Sequence, residues 1–196
     1  MADHRLKPRC ATGGTAPRKA VHDRVTLAEL PGIALASVAQ RAGGAAALAE
    51  CTQALTGAPL PEARRKTGAR DALELIWTAP GQWFALAPLA DHPDLAADLS
   101  ARVKGAASVT DQSGGWVCIT LSGAGCTALL ERLCPRDLGQ MQAGMADRTG
   151  IAHMNCLVIC DTPGTAYRVL GARSSAYSLW DALETVARGL DGTTRQ

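Results

Sequence analysis

The 196-residue chain has no apolar run approaching the roughly 18 to 20 residues that a membrane-spanning helix needs, and its longest candidate, Trp83 to Ala90, is cut by Pro88. A soluble protein with no membrane partner is expected. An excess of one charge is missing too: 20 Lys+Arg stand against 18 Asp+Glu, and a net +2 supplies no general field for nucleic acid. The seven cysteines (Cys10, Cys51, Cys118, Cys126, Cys134, Cys156, Cys160) contain no C-x-x-C pair. An odd set in a chain of this length points to free thiols in a reducing compartment. No G-x-S-x-G elbow occurs, nor a cysteine with a partner His and Asn. Histidines are few: His4 and His22 lie near the start, His92 opens a helix and His153 sits in a strand-like run. No catalytic triad assembles from such spacing.

What is present begins with an uneven charge. Residues 1–24 hold Arg5, Lys7, Arg9, Arg18, Lys19 and Arg24 against Asp3 and Asp23, with Pro8, Gly13, Gly14, Pro17 and almost no large apolar residue. Such a segment cannot offset its ordering entropy, which predicts a disordered basic tail over 1–24. It has no apolar stretch of the kind a secretory signal carries, so a cytoplasmic address is expected. The remainder reads as one domain over 25–190 and a short tail over 191–196.

Within that domain the second half repeats the first at an offset of 163 − 80 = 83. Pro80-Gly81 matches Pro163-Gly164, Ile33 matches Trp116, Cys51 matches Cys134, Phe84 matches Tyr167 and Val103 matches Val186. Each unit reads strand, helix, hairpin, helix: Ile33 to Ala39, Ala45 to Leu55, Leu73 to Trp77 with Trp83 to Ala87, then Pro93 to Val103. The Pro-Gly pairs mark hairpin turns, because Pro sets φ and Gly permits positive φ. An α+β fold is predicted, a tandem βαββα pseudo-repeat over about 31–105 and 106–189, with its helices on one side of strands that join or face each other.

Several groups of residues could carry chemistry. The loop Gly57 to Arg70 holds Arg64, Arg65, Lys66 and Arg70, which either meet an anion or are simply solvated. Cys156 and Cys160, four apart with His153 nearby, could share a strand face as metal ligands or serve as buried apolar thiols. Leu121 to Ala128 contains G-x-G-x-x-A between a strand and a helix, a weak dinucleotide signal without the acidic residue and parallel strand that should follow. Asp94 and Asp98 suit a helix N-terminus. The most polar cluster is Val109 to Trp116, with Thr110, Asp111, Gln112 and Ser113 before two glycines and Trp116. It reads as a turn in which Asp111 and Ser113 bond nearby N–H groups, with a binding use left open.

Four motifs, V-T-D-Q-S-x-G-W (Val109 to Trp116), L-S-G (Leu121 to Gly123), L-C-P-x-D-L (Leu133 to Leu138) and R-S-x-A-x-S-L-W (Arg173 to Trp180), together resemble the gamma subunit of heterotetrameric sarcosine oxidase. The resemblance spans about residues 25 to 190. It implies a fold similar to part of the folate-binding domain of glycine-cleavage aminomethyltransferase. It also implies a subunit without catalytic, cofactor-binding or metal-binding residues of its own, in which Thr110, Asp111, Gln112, Ser113 and Trp116 are family-motif residues of unassigned role. In that family FAD, FMN, NAD and the tetrahydrofolate site belong to the alpha and beta subunits and zinc to the delta subunit, and these three subunits are the implied partners. The complex demethylates sarcosine to glycine, passing the one-carbon unit to tetrahydrofolate or releasing formaldehyde, with formation of hydrogen peroxide. A free-standing folate binder and a subunit of a related N-methyl amino acid dehydrogenase are the alternatives.

Overall fold

The computed structural model describes residues 9–67 and 72–191. Among the described residues ten strands and four α-helices follow in order: β1 (Lys19–Val21), β2 (Thr26–Glu29), β3 (Ile33–Gln40), α1 (Ala45–Thr56), β4 (Glu74–Ala79), β5 (Gln82–Pro88), α2 (Leu95–Val103), β6 (Ala107–Asp111), β7 (Trp116–Ser122), α3 (Cys126–Glu131), β8 (Ala146–Ile151), β9 (Met154–Thr162), β10 (Ala166–Ala172) and α4 (Ala176–Asp191). The strands make two sheets, ordered β1-β2-β7-β10-β9-β8 and β4-β5-β3-β6, with every strand pair antiparallel.

Strand alternation sorts the side chains into three apolar layers. Leu27, Ile119, Leu121, Val158 and Val169 of the six-stranded sheet pack with Leu129 and Leu130 of α3 and with Leu179, Trp180 and Leu183 of α4. Ala34, Ala36, Val38 and Ala85 of the four-stranded sheet pack with Leu48 of α1 and with Leu95, Leu99 and Val103 of α2. The residues between, Leu35, Ile76, Phe84 and Leu86 from one sheet and Cys118, Leu157, Ile159 and Leu170 from the other, meet face to face. The order is therefore helix, sheet, sheet, helix. Helices cover both outer faces rather than one side, because each sheet has an apolar outer face of its own to bury.

The expected tail is a correction. Residues 9–24 belong to the fold, and β1 pairs with β2 in the register Lys19↔Ala28 to Val21↔Thr26. Composition alone missed this because the ordering comes from elsewhere in the chain. The buried Glu29 carboxylate accepts bonds from the Ala11 N–H (2.6 Å), the Thr12 hydroxyl (2.6 Å), the Thr12 N–H (3.3 Å) and the Arg18 N–H (3.4 Å). Arg18 also reaches Glu184 at 3.0 Å and lies over the Trp180 ring. Residues 1–8 and 192–196 lie outside the described residues.

The constant offset also needs correction beyond the second hairpin. The buried positions Leu95, Leu99 and Val103 of α2 correspond in spacing to Leu179, Leu183 and Ala187 of α4, and 179 − 95 = 84. The turn between β9 and β10 supplies the additional residue: Thr162 pairs with Ala166 across three residues, whereas Ala79 pairs with Gln82 across two.

Candidate functional site

Two chain segments cross between the sheets. Leu30 to Gly32 carries the chain from β2 in the six-stranded sheet to β3 in the four-stranded one, and residues 112–115 carry it back from β6 to β7. Both crossings line a cleft of about 560 Å³, walled also by Arg9, Cys10, Ile33, Leu35, Trp116 and Arg173. A second cleft of about 370 Å³ shares Leu30 to Ile33 and reaches Glu74, Leu86 and Arg168.

The polar cluster builds one of these crossings. Thr110 and Asp111 lie on the edge strand β6, opposite Ser37 and Ala36, so the turn proper begins at Gln112. The Gln112 N–H donates to Leu35 O at 2.7 Å, and the Ser113 hydroxyl accepts the Leu35 N–H at 3.0 Å, which prolongs the ladder one step by a side chain. Asp111 Oδ1 accepts from the Ser113 N–H (3.0 Å) and hydroxyl (2.7 Å). These bonds hold the Asp111 carboxyl below its ordinary range. The Gly115 N–H closes the turn on Gln112 O, and Gly115 O accepts the Arg173 N–H at 2.9 Å, joining two of the sequence motifs. Trp116 is half-buried at the start of β7, its ring edge-on to Phe84 with centroids 5.0 Å apart. Thr110, Asp111 and Gln112 do not line the cleft, whereas Ser113 and Trp116 do.

Of the basic loop's described cations, Arg64 and Lys66 are paired within the protein and Arg65 is exposed. Arg64 forks onto the buried Asp147 through Nε (2.6 Å) and Nη2 (2.5 Å). Lys66 bonds Glu74 (2.7 Å) and Asp161 (2.8 Å), and Arg168 bonds the same two carboxylates at 2.7 Å each. Two cations and two anions thus close a compact quartet where the strand ends of the two sheets meet. Burial pushes the Glu74 and Asp161 carboxyls up, but the bonds from Arg168 and Lys66 outweigh it and hold both below their ordinary range. Sequence spacing could not find this, since Glu74 and Arg168 are 94 positions apart. Arg70 lies outside the described residues.

The G-x-G-x-x-A segment is spent on packing. A Cβ on Gly123 would meet Arg24 O at 2.3 Å, and one on Gly125 would meet Val25 Cγ2 at 2.7 Å. The Gly125 N–H donates to Arg24 O at 2.9 Å, so the protein's own backbone fills the place that a phosphate would take in a dinucleotide fold. His153 stands at positive φ in the turn between β8 and β9, not in a strand. Cys156 and Cys160 share the helix-facing side of β9, buried among apolar residues. Burial pushes the Cys118 thiol up to about 12 and the Cys126 and Cys156 thiols up to about 11. Among the described residues no group of three or more His, Cys, Asp or Glu could hold a metal ion, and no helix is long and apolar enough to cross a membrane.

No protein-family model and no curated protein matches the chain. Solved structures do. A chain of the heterotetrameric sarcosine oxidase from Corynebacterium sp. U-96 superposes with a TM-score of 0.76 at 22% identity, covering 88% of each chain. Glycine cleavage system aminomethyltransferase T from Bartonella henselae superposes with a TM-score of 0.63 at 14% identity, over 83% of this chain and 46% of that one. This chain thus spans about half the length of the aminomethyltransferase. The protein has the fold that a chain of heterotetrameric sarcosine oxidase shares with glycine-cleavage aminomethyltransferase.

Proposed function

We propose that the chain is the gamma subunit of a heterotetrameric sarcosine oxidase, a docking and structural component without an active site of its own. The observation that carries this reading is the superposition on a chain of such a complex over 88% of both chains. Four sequence motifs support it independently, and two of them meet where the Arg173 N–H bonds Gly115 O. On this reading the partners are the alpha, beta and delta subunits in the cytoplasm. FAD, FMN, NAD, tetrahydrofolate and zinc reside on those partners, and the complex oxidatively demethylates sarcosine to glycine. The reading also takes the domain as two βαββα units, supported by the corresponding strand orders β4-β5-β3 and β9-β10-β7.

The test is native mass spectrometry of the material that co-purifies with the tagged full-length chain from its own cells, with sarcosine-dependent hydrogen peroxide measured on the same sample. Three partner chains, a flavin spectrum and peroxide formation are expected. A chain that emerges alone overturns the subunit role. A flavin-containing complex that leaves sarcosine untouched but oxidises another N-methyl amino acid moves the assignment to a related dehydrogenase. A lone chain that binds tetrahydrofolate would favour the second reading, a folate-binding protein, which the aminomethyltransferase superposition supports.

A further inference from the structure

The walls of the larger cleft have a definite chemistry. Its depth is apolar: Leu35, Val117 and Leu170 are each at most 3% exposed. Its mouth carries two exposed guanidiniums. Arg173 donates to Arg9 O at 2.6 Å and Arg9 donates to Gly13 O at 3.2 Å, and the remaining donors of both forks have no partner among the described residues. The one acidic residue in the lining, Glu29, has both carboxylate oxygens engaged by the segment from Ala11 to Arg18 and so has little left for a cationic guest. Arg9 and Arg173 against Glu29 leave the wall with a net positive charge. Leu30 and Leu89, two of the few exposed large apolar residues, frame the opening. A volume of 560 Å³ falls within the roughly 300 to 1,000 Å³ of small-molecule pockets.

We propose that this cleft binds a small organic anion with an apolar body, an aryl- or alkyl-carboxylate. The carboxylate lies at the Arg9 and Arg173 guanidiniums and the body lies against Leu35, Trp116 and Leu170. An anion without a body forgoes the apolar depth, and a neutral body forgoes the charge-assisted bonds at the mouth.

Isothermal titration of the full-length chain with 4-phenylbutyrate and with 4-phenylbutanol tests this. One equivalent of the acid should bind, about tenfold more tightly than the alcohol. Arg173→Gln should shrink that difference several-fold, with Arg9 alone left at the mouth, while leaving the alcohol's affinity unchanged. Gly114→Phe should block both ligands, because Gly114 lines the cleft and a Cβ there meets no atom within 4 Å. Thermal unfolding reports that each variant is folded, and if Gly114→Phe is not, the Arg173→Gln comparison decides alone. Equal affinities for acid and alcohol, an acid affinity indifferent to Arg173→Gln, or no saturable binding at millimolar ligand each overturns the proposal. None of these readouts involves another subunit, so failure here leaves the proposed assembly role standing.

Discussion

The helix-covered faces of the two sheets and the space between the sheets are built from the same strands, yet they are closed in different ways. On the outer side of the six-stranded sheet polar groups pair inside the layer, as where the Trp180 indole N–H donates to Glu184 at 2.7 Å, although His22, which bonds Asp191 of α4, keeps a buried Nε2 without a partner among the described residues. Between the sheets an apolar centre gives way to the Lys66, Glu74, Asp161 and Arg168 quartet, to Arg148 over the Phe84 ring at 5.8 Å, and to two clefts. A helix can be laid along a sheet until its apolar stripe is covered. Two twisted sheets interdigitate at their centre and diverge towards their strand ends, and ions and clefts occupy what is left. Stability should therefore be concentrated in the outer layers, and interaction chemistry between the sheets.

The harshest test of that division is Trp180→Ala. Its side chain is fully buried in the outer layer, and truncation should cost about 3 to 5 kcal/mol in urea unfolding. Arg168→Gln should cost less, about 2 to 3 kcal/mol, since it leaves two carboxylates to Lys66 alone in a site that water partly reaches. If the second loss exceeded the first, the inter-sheet space would be the principal source of stability and the comparison would invert.

Acid sharpens the same contrast. Glu74 and Asp161 are held below their unfolded values of 4.5 and 3.8. The unfolded chain therefore binds protons first, and the quartet's contribution is present above those values and lost as pH falls through the depressed folded ones. Urea midpoints should drop as pH falls below about 5, and the drop should be shallower in Arg168→Gln. An equal slope in both proteins would remove the quartet as its source.

The crossing at Ser113 calls for the smallest effects. Ser113→Ala takes the acceptor from the Leu35 N–H and a donor from Asp111, for about 1 kcal/mol. Gln112→Ala, which removes only a half-buried side chain, should stay within about 0.5 kcal/mol and leave co-purification of partners intact. Normal unfolding with lost partners would instead make Gln112 a docking residue.

Much of the fold is legible in local pattern. Ile33 to Ala39 and Trp83 to Ala87 lie within β3 and β5, Ala45 to Leu55 within α1, and Pro80-Gly81 and Pro163-Gly164 at hairpin turns. The strands β1, β2, β6 and β8 were not legible, because they are short and mixed in character. Two of them read instead as parts of a tail and a turn. Of the junction residues, Asp111 and Ser113 were readable as turn formers from their side-chain chemistry. That Ser113 and Trp116 line a cleft while Thr110, Asp111 and Gln112 do not depends on which side of the β6-to-β7 crossing each falls.

Local chemistry therefore accounts for whatever depends on neighbours a few positions away: strand alternation, helical stripes, Pro-Gly turns and the absence of a membrane-length apolar run. Only the tertiary structure decided that β2 joins the sheet of β7 while β6 joins the sheet of β3, that Glu29 draws residues 11–18 onto the domain, and that Arg9 and Arg173 meet at one cleft mouth. The reason is physical. Backbone pairing and buried charge are satisfied by whichever partner the packed layers bring near, and for these residues that partner lies tens to more than a hundred positions away.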